Sequence, residues 1–359
     1  MAMRSVFSED DSNGTVAPLH ALLDGHRRAA GHGNPIRSTF RFGDAIVRFE
    51  IVGAALAKAL TGAFAHLTTT ADARPDLRIL LWDSSETGVA RPLPDLRLLL
   101  REQAPFGDGV VVRQGGVVGF QSPRIFAILD IEAGLLAGCV TDANALSFFE
   151  IGKPLQPLLF QWHAARNTIP LHAALVSAAG RGLVLGGKGG SGKSTSALAC
   201  ARSGLDFLGD DYIGLRVQGA HVDGHSFYGS AWLEAEHSRS VGWITGHPLP
   251  GAESGERKLG FSLTNALPGA LVAQTRIVAV ALPRVGDAPV AAARRITPGE
   301  ALRRLAPSSI LQIPFLETAQ AMAAIGALVR SCPCYELAVG RDLPSIGRCV
   351  RGLLEGTAA

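Results

Sequence analysis

Residues 187–194 read Gly-Lys-Gly-Gly-Ser-Gly-Lys-Ser, which places Gly187, Gly192, Lys193 and Ser194 at the fixed positions of the G-x-x-x-x-G-K-[ST] pattern. The pattern narrows the fold sharply, because its loop works only between a buried strand and the start of a helix. A glycine-rich loop can turn successive backbone N–H groups toward one phosphate, since no Cβ blocks the positive-φ conformations required. The flanks fit. Gly182-Leu-Val-Leu-Gly186 is a short apolar run, and the helix formers from Ser194 to Ser203 end at Gly204, a natural left-handed C′ residue. Phosphate contacts are therefore expected along Gly187, Lys188, Gly189, Gly190, Ser191, Gly192, Lys193, Ser194 and Thr195. Lys193 would bring a point charge to the β- and γ-phosphates and Ser194 a hydroxyl for Mg²⁺, so ATP with Mg²⁺ is the expected ligand.

The chain is 359 residues long, enough for about two domains. Its 34 Lys and Arg against 31 Asp and Glu give a net charge of +3, too balanced to indicate a nucleic-acid partner or an anionic membrane surface. Five cysteines, odd in number and without paired metal spacing, read as reduced thiols of a cytoplasmic protein. No apolar run approaches the roughly 18 residues of a membrane span. Charge leaves a homo-oligomer open.

Residues 1–37, rich in Ser, Asp, Gly, His and Arg, read as a loosely ordered arm outside any core. Phe40 to Phe42 and Ile46 to Phe49 form a hairpin pattern across Gly43-Asp44, and Leu56, Leu60, Phe64 and Leu67 follow at helical spacing. A strand over Leu77 to Trp82 and a meander over Val110–Val112, Val117–Phe120 and Ile125–Leu129 complete a smaller α+β domain of residues 38–153. Residues 154–359 then read as an α/β domain around the glycine loop. It has a strand from Leu171 to Val176 opened by His172, a strand over Arg276–Leu282, and a helix capped by Thr297-Pro-Gly-Glu300. A helix over Ala319–Val329, a strand over Tyr335–Val339 and a last helix from about Pro344 close the chain.

Phosphoryl transfer to a hydroxyl needs a metal ligand and gains from a carboxylate that accepts the departing proton. Asp210-Asp211 follow one short helix after the loop, where the next strand of an α/β sheet ends beside the phosphates. An Asp pair of this kind also serves as a plain turn, and a histidine at a strand edge is often only a hydrogen-bonded structural residue. His163, on the preceding helix, is a weaker candidate. Lys258 reads either as a solvated lysine or as a second phosphate contact.

The run from His172 through the glycine loop to Asp210-Asp211 resembles the catalytic domain of HPr kinase/phosphorylase and its HPr-kinase-like relatives. In that family a histidine opens one strand, the loop follows the next, and a paired Asp comes after a short helix. The spacings here are fifteen residues from His172 to Gly187 and twenty-three from Gly187 to Asp210. Leu171-His-Ala-Ala, Leu208-Gly-Asp-Asp211, Pro333-Cys-Tyr-Glu-Leu337 and Gly340-Arg-Asp-Leu343 are most similar to a divergent branch that includes serine kinases of lasso peptide clusters.

The resemblance implies an ATP-dependent kinase acting on a serine of a peptide or small protein. Asp210 would be the carboxylate beside the acceptor hydroxyl and Asp211 its partner in the metal network with Ser194, two roles that are exchangeable. His172 would orient an aspartate or a phosphate. The Ile-Arg-Gly-Leu-Gly signature of the true HPr kinases has no counterpart over Tyr228–Gly246, so neither HPr as substrate nor reverse phosphorolysis is implied.

Lys188 also gives the loop a resemblance to the deviant loop of partitioning-type ATPases, where such a lysine reaches the nucleotide across a dimer. That family's loop lies near the chain start, and its long aliphatic strand ending in Asp-x-Asp is missing here, since Leu205-Asp-Phe-Leu-Gly209 is short. Both readings require Lys193. Lys193→Ala is expected to abolish productive nucleotide binding in titration calorimetry, and full affinity in that variant would show that the loop is not the phosphate site.

Overall fold

The computed structural model describes residues 12–92, 96–99, 101–251 and 257–356. The first half runs α1 (Ser12–Ala30), β1 (Ile36–Phe42), β2 (Ala45–Val52), α2 (Ala54–Thr61), β3 (Leu77–Asp83), α3 (Ser84–Thr87), α4 (Leu96–Leu99) and β4 (Glu102–Phe106). It continues with β5 (Gly109–Gln114), β6 (Val117–Gln121), β7 (Ile125–Asp130), β8 (Leu135–Val140), α5 (Phe148–Gly152) and α6 (Gln156–Ala165). Its eight strands form one sheet in the order β1-β2-β3-β8-β7-β6-β5-β4, with β3 parallel to both β2 and β8. The hairpin turns at Gly43-Asp44, pairing Phe42 with Ala45.

Both faces of this sheet are covered, which explains why its central strands are nearly continuous apolar runs. Side chains alternate. Ile79 and Leu81 face the core under α2 and α6, whereas Leu80 and Trp82 face α1. Strands β4 and β8 carry no clear strand pattern in the sequence.

Helix α1 corrects the expectation of a loosely ordered arm over residues 12–30; residues 1–11 lie outside the described residues. Leu19, Leu22 and Ala29 form a buried stripe at helical spacing against Trp82, Phe126 and Cys139. Gly25 sits on that stripe, where an added Cβ would stand 2.5 Å from the Trp82 ring. The glycine that made the segment look irregular is what allows this close approach.

The second half comprises β9 (Ile169–Leu171), β10 (Ala173–Ala178), β11 (Arg181–Gly186), α7 (Lys193–Arg202), β12 (Asp206–Gly209), β13 (Ile213–Gln218), β14 (His221–Ser226) and β15 (Ser230–Glu234). Then come β16 (Lys258–Ser262), α8 (Leu263–Ala266), β17 (Gln274–Val285), β18 (Ala292–Ile296), α9 (Pro298–Ile310), α10 (Thr318–Ser331), β19 (Cys334–Val339) and α11 (Leu343–Glu355). The sheet order is β12-β10-β11-β17-β14-β13-β9, with β19 joining β17 to β18, and β15 and β16 pair separately. Alternation again sorts the layers. Val176, Leu183 and Leu185 pack with α7 and α11, while Leu175 and Val184 pack with α9 and α10. The chain is thus a mixed α/β protein with several sheets.

One core joins the two large sheets. Helix α6, buried at every position but Ala165, packs Phe160 and Trp162 among residues of both. His163 lies in this layer between Phe42 and Phe227, at ring separations of 5.1 and 4.5 Å, and His66 bonds Ser226 Oγ at 2.7 Å. Burial depresses His66 to about 4, and burial, followed by the charges of His225 and Arg166, depresses His163 to about 3. The unfolded chain therefore takes up protons first as pH falls below 6.5, and stability drains away until the folded-state values are reached. The urea midpoint is expected to fall from pH 6.5 toward about 4, less steeply in His66→Gln. A midpoint that stays level across that window would contradict a neutral His66.

Candidate functional site

Strands β11 and β12 both run antiparallel to β10, and β17 runs parallel to β11 and β19. The C-terminal ends of β12, β11, β17 and β19 therefore share one edge, where α/β sheets place their ligands. The connections leaving that edge carry Asp210-Asp211, the glycine loop and Gly340-Arg341, and His172 lies there just before β10. A cleft of about 1100 Å³ opens above them.

The loop joins β11 to α7. Gly187 has φ 133° and Gly192, at the N-terminal cap of α7, has φ 93°, both in the region that favours glycine. Gly189, Gly190, Ser191, Gly192, Lys193, Ser194 and Thr195 line the cleft. Gly187 is buried beneath it and the Lys188 side chain is exposed. Lys193 is 7% exposed, and its ammonium donates to the Gly187 carbonyl at 2.8 Å and the Lys188 carbonyl at 3.1 Å. Burial lowers its pKa, and the charges of Asp210 and Asp211 oppose that shift.

The two aspartates face different environments because the chain turns between them. Asp211 adopts φ 76°, a left-handed conformation that Asp tolerates better than most residues. Asp210 Oδ2 accepts from the Trp232 amide at 2.9 Å, whereas its Oδ1 is buried without a hydrogen-bond partner. Burial and then the Asp211 charge raise the Asp210 carboxyl, while Lys258, the Trp232 amide and the Ser194 hydroxyl pull it back.

Asp211 lines the cleft and is ringed by cationic and donor groups: Lys153 Nζ at 2.6 Å, His172 Nε2 at 3.1 Å and Lys258 Nζ at 3.2 Å. Burial alone would raise Asp211. Lys153, the His172 hydrogen bond and Lys258 outweigh it and hold the carboxyl well below the ordinary range.

His172 does not open the strand as expected. It occupies a break between β9 and β10, with its ring stacked on Tyr212 at 5.2 Å and its backbone N–H donating to Ser309 Oγ at 3.1 Å. The break frees the imidazole from the pleat and lets it reach Asp211. His163 lies in the buried layer already described, and the Lys258 side chain is 32% exposed, between the two expectations for it.

Lys153 lines the cleft as well, although nothing in the sequence singles it out. It follows α5, has a side chain only 9% exposed, and its ammonium lies 4.4 Å from the Trp232 ring centre. Nothing local in Gly152-Lys-Pro154 signals this, because its partner is fifty-eight residues away.

The residues fit a Mg²⁺-nucleotide. The described residues contain no cluster of three or more His, Cys, Asp or Glu able to hold a metal by themselves. Mg²⁺ bound chiefly through phosphate oxygens and water needs only one or two protein oxygens, and Ser194, which lines the cleft, and the unpartnered Asp210 Oδ1 behind it could supply them.

The buried Lys153–Asp211 pair yields a double-mutant prediction. Asp211→Asn is expected to destabilise the fold by about 3 kcal/mol, because it leaves Lys153 less well compensated. Lys153→Met combined with Asp211→Asn should recover part of that loss in urea unfolding. Strict additivity of the two changes would show that the pair is not coupled.

No family model matches the sequence, and no curated protein matches it significantly. Among solved structures the chain is similar to the Hpr(Ser) kinase/phosphatase from Coxiella burnetii, at 14% identity and a TM-score of 0.30, over 53% of this chain and 99% of that one. The likeness is a distant structural one, and the chemistry of the site rests on its own residues.

Proposed function

We propose that this chain is a phosphotransferase that moves the γ-phosphoryl group of ATP to a hydroxyl, a serine of a peptide or small protein. One observation carries the reading: the glycine loop, Lys193, Ser194 and Asp211 line one cleft, and Asp210 stands directly behind Asp211 on the Trp232 amide. Paired carboxylates with divergent environments are the mark of divided roles.

In this reading the loop amides and Lys193 hold the phosphates. Ser194 and Asp210 would hold Mg²⁺, which neutralises charge developing on the phosphoryl oxygens. Asp211 faces the acceptor. The two expected roles are thus exchanged, because Asp211 has both oxygens engaged by Lys153, His172 and Lys258, whereas Asp210 keeps one oxygen free. Asp211 orients the serine hydroxyl and takes its proton as the oxygen–phosphorus bond forms and ADP departs with the electrons of the broken bond. A weakly basic carboxylate suffices, since a loose transition state asks for positioning more than for proton abstraction.

Among the described residues no helix is long and apolar enough to cross a membrane, and all five cysteines are free thiols. Free thiols support a reducing, cytoplasmic setting. The exposed Lys188 favours one rival, the dimerising ATPase switch without a phosphorylated substrate.

The deciding experiment incubates the full chain with γ-labelled ATP and Mg²⁺ in small-molecule-depleted lysate of its own source and follows the label by mass. Label on a peptide or protein serine is expected, reduced about 10²- to 10⁴-fold in Asp211→Asn with nucleotide binding retained. Release of free phosphate alone, dependent on Lys188 and on protein concentration, would establish the ATPase instead.

A further inference from the structure

The cleft does not end at the second sheet. Its far wall is built by Phe106 at the end of β4, Phe120 in β6, Ile125 at the start of β7 and Phe149 in α5. Phe106 and Phe120 meet edge to face at 6.1 Å. Phe149 is stacked on Trp232 at 5.2 Å and an interplanar angle of 5°, yet remains 39% exposed. The Lys153 ammonium lies 5.6 Å from the Phe149 ring centre and bonds Asp211, so a single lysine separates the aromatic wall from the carboxylate.

Two features say what this wall would receive. The cleft, at about 1100 Å³, matches the upper end of the roughly 300–1,000 Å³ range of ligand sites and runs from the glycine loop to the first sheet, so an acceptor can lie along it beside a nucleotide. The charges nearby are engaged with one another. Arg124 donates to Glu150 at 2.6 Å and pairs with Asp108, and Glu150 also accepts from Ser147 in the cap of α5, so these groups line the cleft as paired charges and the exposed Phe149 with the half-buried Phe106 is its apolar surface. An exposed phenyl ring beside a polar reaction centre gains most from an apolar partner.

We propose that this wall, contributed by the first sheet and α5, is the acceptor subsite, and that it takes a peptide segment in which a large apolar residue flanks the phosphorylated serine. The inference rests on the kinase reading above and deepens it. It assigns the first half of the chain to substrate selection, with Phe149 and Phe106 as specificity residues and Lys153 as the side chain that carries their position to Asp211.

The test uses the full chain with γ-labelled ATP, Mg²⁺ and a serine-centred peptide library varied at the flanking positions. Peptides with Phe, Tyr, Leu or Met beside the serine are expected to be labelled about tenfold or more over those with Gly, Asn or Asp. Phe149→Ala and Phe106→Ala should each erase that preference and raise the acceptor KM about tenfold, with the KM for ATP unchanged. Phe149→Leu should keep the preference, and thermal melting establishes that each variant is folded. Labelling without preference, or a preference that survives both alanine variants, overturns the acceptor wall and leaves the kinase standing. Labelling of a lysate protein but of no library peptide also overturns the wall. Failure to label anything overturns the kinase reading and the wall with it.

Discussion

Asp211 is a buried carboxylate that keeps its charge only because Lys153, His172 and Lys258 surround it. An isolated charge in such a setting would neutralise or unfold its surroundings. Its partners come from three distant places: the link after α5, the break before β10 and the first residue of β16. Satisfying one carboxylate thus fixes where these segments meet. The left-handed turn at Asp211 belongs to the same requirement, since it aims this residue into the cleft while Asp210 stays behind it on the Trp232 amide.

The same constraint unites the two halves of the chain. Lys153 lies between the last strand of the first sheet and the first strand of the second, and it stacks over Trp232 beside Phe149. Behind it, α6 is buried on nearly all sides in a core drawn from both sheets. A shift of the first sheet would disturb the lysine and, through it, the carboxylate. This continuity gives the first half a physical route to the carboxylate at the cleft.

Strong local patterns were legible. The glycine loop with its flanking strand and helix, the Gly43-Asp44 hairpin and the Thr297-capped helix each depend on neighbours within a few residues, and each forms where the pattern lies. Helix α1 was hidden because Gly25 and the polar residues around it lower local helix preference, while the reason for Gly25 is a tryptophan fifty-seven positions away. Leu171 to Val176 reads as one strand because it is nearly continuous in apolar residues. In fact two strands with different partners meet there, β9 on β13 and β10 on β11 and β12.

By itself, then, the sequence determined the α/β character, the glycine loop between a strand and a helix, and the presence of an aspartate pair downstream of it, because backbone preference and hydrophobic periodicity are local properties. Only the tertiary structure decided which aspartate faces the cleft, that Lys153 guards it, and that the first sheet supplies one wall. Those outcomes depend on burial and charge compensation between residues far apart in the chain, and no local pattern encodes a partner that folding alone brings within 3 Å.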